Sequence, residues 1–135
     1  LRGFKARLRE LPREVKDKGG DLGPLTDLDH YVDRELHRVV RAAFAADGWV
    51  SEESAHETGQ GAAGAARVWI VDPIDGTKSF IRGVPLFGVL IALEIDGQAE
   101  VGVCHLPALG ETVAAATGLG CSWNGKSAHA STVET

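Results

Sequence analysis

Val68-Trp69-Ile70-Val71 is a continuous apolar run of strand length that stops abruptly at Asp72-Pro73-Ile74-Asp75-Gly76. Such a run predicts a buried strand, and the residue before a proline is held extended, so Asp72 keeps the strand's direction. Pro73 fixes one backbone angle and Gly76 permits an unusual one. The expected turn brings the carboxylates of Asp72 and Asp75 and the carbonyl of Ile74 to one side. Hard oxygen donors of this kind suit magnesium, which takes a few carboxylates, keeps several waters and accepts phosphate oxygens. Past the turn, Thr77 is expected to cap a short helix through Lys78 to Arg82, aiming the N–H groups of Gly76, Thr77 and Lys78 at an incoming anion. Metal ligands on one side and phosphate donors on the other are what metal-assisted phosphoryl transfer needs. The plainer reading is that Asp-Pro-x-Asp-Gly is only a turn, because these residues are common turn formers. Its company argues otherwise. Ser51-Glu52-Glu53-Ser54 puts two more acids at the end of another short apolar strand, and clustered carboxylates repel unless a cation neutralises them.

The rest of the chain frames that turn. Leu28, Tyr31, Val32, Leu36, Val39, Val40, Ala43 and Phe44 recur at steps of three and four, predicting an amphipathic helix that ends near Asp47-Gly48. Thr26-x-x-Asp29 before it reads as a capping box, which still leaves Asp29 an oxygen to present elsewhere. Upstream, Phe4, Leu8 and Leu11 give the stretch Leu1 to Lys18 a helical spacing with a basic, solvated face. Residues 19–24 then form a loop or loose hairpin, and residues 49–51 a short strand. Residues 59–66 have almost no side-chain volume with which to pack and predict a mobile surface loop. From Pro85 the pattern becomes an antiparallel meander: Leu86 to Ile95, a turn at Asp96-Gly97, Ala99 to Leu106, a bend at Pro107 to Gly110, and Glu111 to Ala116. Cys121-Ser122-Trp123 leads into a further hairpin turn at Asn124-Gly125.

With 135 residues, 44% of them hydrophobic, the chain predicts one compact unit rather than two domains. It holds no run of 18 apolar residues and its start is not built as a signal peptide, so a soluble chain with no membrane partner is expected. Cys104 and Cys121 form no CxxC pair, which fits a reducing, cytoplasmic setting. A net charge of -5, without Lys and Arg interleaved with aromatics, argues against nucleic acid as a partner. His30 and His37 pair with no cysteine at metal-ligand spacing and are expected to pack or face solvent. Cys104 and His105 are strand neighbours facing opposite sides, so they are no nucleophile-base pair.

Lys18, Thr26-x-x-Asp29, Glu52-Glu53-Ser54 and Asp72-Pro73-Ile74-Asp75-Gly76-Thr77-x-x-Phe80 together resemble the inositol monophosphatase superfamily in order and approximate spacing. The wording of Lys78-Ser79-Phe80-Ile81 and Pro85-Leu86-Phe87-Gly88 resembles its histidinol-phosphatase-like branch. The resemblance implies an α+β fold, the amino-terminal part of an αβαβα layered sandwich with helices packed on a largely antiparallel sheet. It implies that residues 1–135 are one metal-binding portion of a phosphatase whose carboxy-terminal α/β half is absent. Glu52, Asp72 and the Ile74 carbonyl would hold one magnesium ion, and Asp72 and Asp75 would share a second. Asp75, Gly76 and Thr77 would bind the substrate phosphate, the latter two through backbone N–H groups. Glu52, Thr77 and Asp29 would carry catalysis, the Thr77 hydroxyl paired with Asp29 orienting or deprotonating the attacking water. Glu53 and Lys18 would be accessory.

The implied reaction is magnesium-dependent hydrolysis of a small-metabolite phosphate monoester, histidinol phosphate or myo-inositol monophosphate, without a phosphoenzyme. A sugar bisphosphatase or an adenosine 3',5'-bisphosphate nucleotidase is the rival among enzymes, and a catalytically incompetent metal- or phosphate-binding fragment the rival outside them. A homodimer is implied for the full-length protein. The chain departs from the family in two ways: Ser51 stands where Gly usually precedes the paired glutamates, and the family's second-half Trp-Asp motif, which completes a metal site, does not occur.

Overall fold

The computed structural model describes residues 15–17, 24–53 and 64–132, with side chains from Asp27 onward. The first elements are a pair of short antiparallel strands, β1 (Val15–Asp17) and β2 (Pro24–Thr26), with Val15 opposite Thr26 and Asp17 opposite Pro24. The helix expected through Lys18 is corrected at this point. Val15 to Asp17 are extended, because their non-local pairing with residues 24–26 overrides the local helical spacing. Leu1 to Glu14, Lys18, residues 19–23, for which a loop or loose hairpin is expected, residues 54–63 and residues 133–135 lie outside the described residues, as does the Thr26 side chain.

Helix α1 (Asp27–Ala43) matches the periodic pattern, with Asp27 and Asp29 in its first turn and Arg41 in its last, each favourable toward the helix dipole. It leads into a seven-stranded sheet of order β3-β4-β5-β6-β7-β8-β9. The strands are β3 (Gly48–Ser51), β4 (Arg67–Asp75), β5 (Gly88–Ile95), β6 (Gln98–Leu106), β7 (Glu111–Ala116), β8 (Gly120–Trp123) and β9 (Lys126–Ala128). β3 and β4 run parallel, Gly48 beside Val68 and Ser51 beside Val71, and every later pair is antiparallel. The β5–β6 and β8–β9 hairpins turn on Asp96-Gly97 and Asn124-Gly125, all four with positive φ between 49° and 79°. That is the twist a two-residue hairpin requires. β4 does not stop at Asp72-Pro73 as its sequence suggests. It continues to Asp75 with a register shift between Asp72 and Asp75, the irregularity by which a strand tolerates a proline that cannot donate to the ladder.

Side chains alternate across this sheet. On one face α1 packs against β3 and β4: His37 stacks on Trp49 at 4.8 Å, and the Phe44 ring lies 5.5 Å from that of Trp69. The junction is closed by Asp47, which accepts hydrogen bonds from Arg67 and from Trp69 Nε1 at 2.8 Å, while Arg67 also sits over the Phe44 ring. On the opposite face an open cavity of about 710 Å³ runs along the sheet, lined by apolar groups such as Leu90, Cys104 and Val113, with Glu52 and Asp72 also on its wall. A small core of Leu28, Ile74 and Phe80, flanked by Tyr31, Val32, Ile81 and Phe87, joins α1 to the turn after β4.

Candidate metal and phosphate site

The site is built where β3 and β4 end side by side. Glu52 N donates to Val71 O at 3.0 Å, so the parallel pairing extends one residue past β3 and sets Glu52 beside Asp72. Pro73 and Ile74 are buried, Ile74 in the small core, whereas Asp75 is exposed and Asp72 half-buried. The apolar half of the turn therefore anchors it while the acidic half is presented. The Asp72 Oδ1 atom accepts from Ile74 N at 3.1 Å, the local bond that holds the turn's first carboxylate in place.

Helix α2 (Thr77–Ile81) follows immediately. Its cap is not Thr77, as the sequence suggests, but Gly76, in the left-handed conformation at φ 83° and with no side-chain cap bond. Ser79 N and Phe80 N both donate to Gly76 O, at 2.8 and 3.0 Å. A Cβ at Gly76 would lie 3.0 Å from Leu86 O and 3.4 Å from Phe87 Cα, so the segment leading into β5 closes down on a residue that must lack a side chain. Phe80 packs edge-on against Phe87 at 5.1 Å and fixes that approach, a pair contributing about 0.5–1.5 kcal/mol beyond its buried area. Displaced from the capping role, the Thr77 hydroxyl lies 3.0 Å from Ile74 O and 3.4 Å from Asp29 Oδ1. It has one proton for two acceptors, so the shorter bond to Ile74 dominates and Asp29 is the alternative. Asp29 is only 1% exposed, brought there by the first turn of α1.

Burial and neighbouring acids together set the electrostatics of Asp72. Burial first, then the charges of Glu52 and Asp75 and a hydrogen bond with Glu52, push the Asp72 carboxyl up to about 6, against the opposing bond from Ile74 N–H. Glu52 and Asp75, from two separate stretches of chain, are thus both electrostatic neighbours of Asp72. In this arrangement Glu52 and Asp72 share a hydrogen bond, and among the described residues no three His, Cys, Asp or Glu side chains are gathered in a metal-holding group. Like charges drawn together with nothing positive between them share a proton or spread apart.

Of the residues singled out in the sequence, Glu52, Asp72, Ile74, Asp75, Gly76, Thr77 and Asp29 occupy one end of the sheet. Glu53 is buried, its N–H directed at Ser51 Oγ at 3.4 Å, whereas Glu52 is exposed. Lys18 lies outside the described residues. His37 is a packing residue on Trp49, and His105 bonds Thr112 through Nδ1 at 2.8 Å. Asp33, buried one turn after Asp29 on the same face of α1, was not singled out, although its spacing of four from Asp29 is the signal that would have found it.

The model of the inositol monophosphatase family matches residues 3–135. The chain belongs to that family. A histidinol-phosphatase of Chlorobaculum parvum is 43% identical over 111 residues, which make up 82% of this chain and 41% of the relative. A fructose-1,6-bisphosphatase/inositol-1-monophosphatase of Thermotoga maritima is 36% identical over 112 residues, 83% of this chain and 41% of the relative. Among solved structures, an IMPase of Thermotoga maritima superposes with a TM-score of 0.79 at 28% identity, covering 98% of this chain and 55% of that one. The chain thus spans about two-fifths of the length of the curated relatives it matches.

Proposed function

We propose that this chain is the metal-binding α+β portion of a magnesium-dependent phosphomonoesterase acting on a small phosphorylated metabolite, with histidinol phosphate first and myo-inositol monophosphate second among candidate substrates. The observation that carries the reading is Asp72 beside the Gly76-Thr77 turn with Glu52 and Asp75 as charged neighbours, its carboxyl raised to about 6 by burial first and then by those two charges. These residues fit a divalent cation: their donors are hard oxygens, and a positive ion offsets both the burial and the neighbouring charges that raise Asp72. Glu52, Asp72 and the Ile74 carbonyl, whose second lone pair remains after the Thr77 bond, would hold one ion, and Asp72 with Asp75 a second. Magnesium would supply acidification of a bound water and charge for the leaving oxygen.

The chain's own residues do the rest. The first amides of α2, at Gly76 and Thr77, orient the phosphate, since the opening N–H groups of a helix have no intrahelical acceptor, and the Asp75 carboxylate would act on it only through a shared cation, because two anions repel. The Thr77 hydroxyl accepts a hydrogen bond from the attacking water by turning its proton from Ile74 O to Asp29, whose burial keeps it pointed there. Glu53 and Lys18 remain accessory. We place the protein in the cytoplasm, in keeping with its two free cysteines, with a homodimer as the full-length assembly.

The test is phosphate release from histidinol phosphate, myo-inositol 1-phosphate, fructose 1,6-bisphosphate and adenosine 3',5'-bisphosphate, with and without magnesium, for the chain and for Asp72→Asn. Release that needs magnesium and disappears in the variant supports the assignment. Release that survives in the variant overturns it. A second reading is binding without turnover. It predicts magnesium and phosphate binding with no release from any of the four substrates.

A further inference from the structure

Among the described residues, two buried side-chain polar atoms have no hydrogen-bond partner, Asp33 Oδ1 and Trp49 Nε1. Asp33 is 7% exposed and Trp49 6%. They are opposite in kind: a carboxylate oxygen only accepts, and an indole N–H only donates. Leaving either unmet in the interior is costly, so a complementary pair in one interface points to a group between them. The interface is shared, because His37, one turn beyond Asp33 on the same face of α1, stacks directly on Trp49. A third buried polar group lies on the same strand. Ser51 follows Trp49 by two residues in β3 and so shares its face, and it is 1% exposed. Its Oγ accepts a long contact from Glu53 N at 3.4 Å, which leaves the hydroxyl proton to give. A buried water needs two to four such polar partners, and the α1–β3 interface offers an acceptor and two donors.

We propose that Asp33, Trp49 and Ser51 hold one buried water between α1 and β3, and that through it Asp33 is a positioning residue for the site. The water donates to Asp33 Oδ1 and accepts from Trp49 Nε1–H and Ser51 Oγ–H. Asp29 lies one turn before Asp33 on α1, and Glu52 directly follows Ser51 after β3. The bridge thus ties the element that brings Asp29 to Thr77 to the element that brings Glu52 to Asp72. Its consequence for catalysis rests on the phosphatase reading; the water itself does not.

Nitrogen-15 NMR of the indole N–H groups tests the bridge, with the Trp49 signal assigned by Trp49→Phe. The Trp49 N–H is expected to show cross-relaxation with a long-lived water, lost in Asp33→Leu and kept in Asp33→Asn, whose amide oxygen still accepts. The Trp69 N–H, bonded to Asp47 at 2.8 Å, should stay in place in both variants and reports an intact fold. Where Asp33→Leu moves Trp69 as well, Ser51→Ala is read instead and should shorten the water's residence. A wild-type Trp49 N–H with no water contact, or one indifferent to Asp33→Leu or Ser51→Ala in a chain with Trp69 unmoved, overturns the bridge. In turnover assays Asp33→Leu should lower kcat with little change in KM and Asp33→Asn should restore it; equal loss in both variants overturns the positioning role. A chain with no turnover at all removes the phosphatase reading while the NMR result still decides the water.

Discussion

Replacing Asp72 by Asn removes one charge and keeps the shape, because an amide oxygen still accepts the bond from Ile74 N–H. In the folded chain, burial and the Glu52 and Asp75 charges hold this carboxyl at about 6 rather than its ordinary 3.8, so the folded state binds the proton more tightly than the unfolded one. Below the ordinary value Asp72 is neutral in both states and carries no penalty; above about 6 the folded state bears a charge it disfavours. Metal-free wild type therefore loses stability as pH rises through this window. At about 1.4 kcal/mol per pH unit the difference sets a ceiling of about 3 kcal/mol. Solvent reaches this half-buried group, and screening reduces the expected effect to about 1 kcal/mol. Urea unfolding in chelator from about pH 4 to about pH 8 measures it, with Asp72→Asn overtaking wild type by about 1 kcal/mol toward the upper end. Magnesium should reverse the order by stabilising wild type alone. A stability difference between the two proteins that does not change with pH refutes the electrostatic account of the site.

Gly76→Ala should cost more than the roughly 1–2 kcal/mol of a left-handed alanine, because its Cβ also meets Leu86 O at 3.0 Å. Gly97→Ala, at similar φ with open space around it, isolates the conformational part, and equal urea midpoints for the two would contradict the close approach. Asp47→Asn should destabilise by weakening the Arg67 and Trp69 bonds. Burial works to raise the Asp47 pKa, but the bonds from Arg67 and Trp69 and the Arg67 charge prevail and hold it below 3.8, so this contribution is present above that value and fades as pH falls through the lower folded one. Thermal melts across acidic pH check it: the gap to wild type should close toward the acid end. Thr77→Val should abolish phosphate release while Thr77→Ser retains it, since only the hydroxyl reaches Ile74 O and Asp29; turnover in the valine variant would remove Thr77 from the mechanism.

The meander after Gly88 is legible in the sequence because its hairpins turn on Asp96-Gly97 and Asn124-Gly125, residue pairs that tolerate the positive φ such turns need. Helix α1 is legible for the same local reason, a stripe at steps of three and four. What escaped is non-local. Val15 to Asp17 pair with residues 24–26, and β4 runs on past Pro73 because the β5 side of the ladder accommodates a shift of register. The acids of the site could be picked out one by one, since Glu52 and Asp72 each end an apolar run. Their meeting depends on the parallel pairing of β3 with β4, which no local pattern states. Gly76 displaced Thr77 as cap because the closing segment at Leu86 and Phe87 needs a residue without a side chain. Asp33 stayed hidden because α1's apolar stripe draws attention away from the carboxylates buried along its edge.

Manganese binding followed by electron paramagnetic resonance, the spin-bearing ion standing in for magnesium, tests the central claim most directly. Saturable uptake by the wild-type chain, displaced by magnesium and lost in Glu52→Gln, Asp72→Asn and Asp75→Asn but kept in Glu94→Gln on β5, is the predicted result. Wild-type uptake that survives all three substitutions, or a wild-type chain that takes up no manganese, contradicts it.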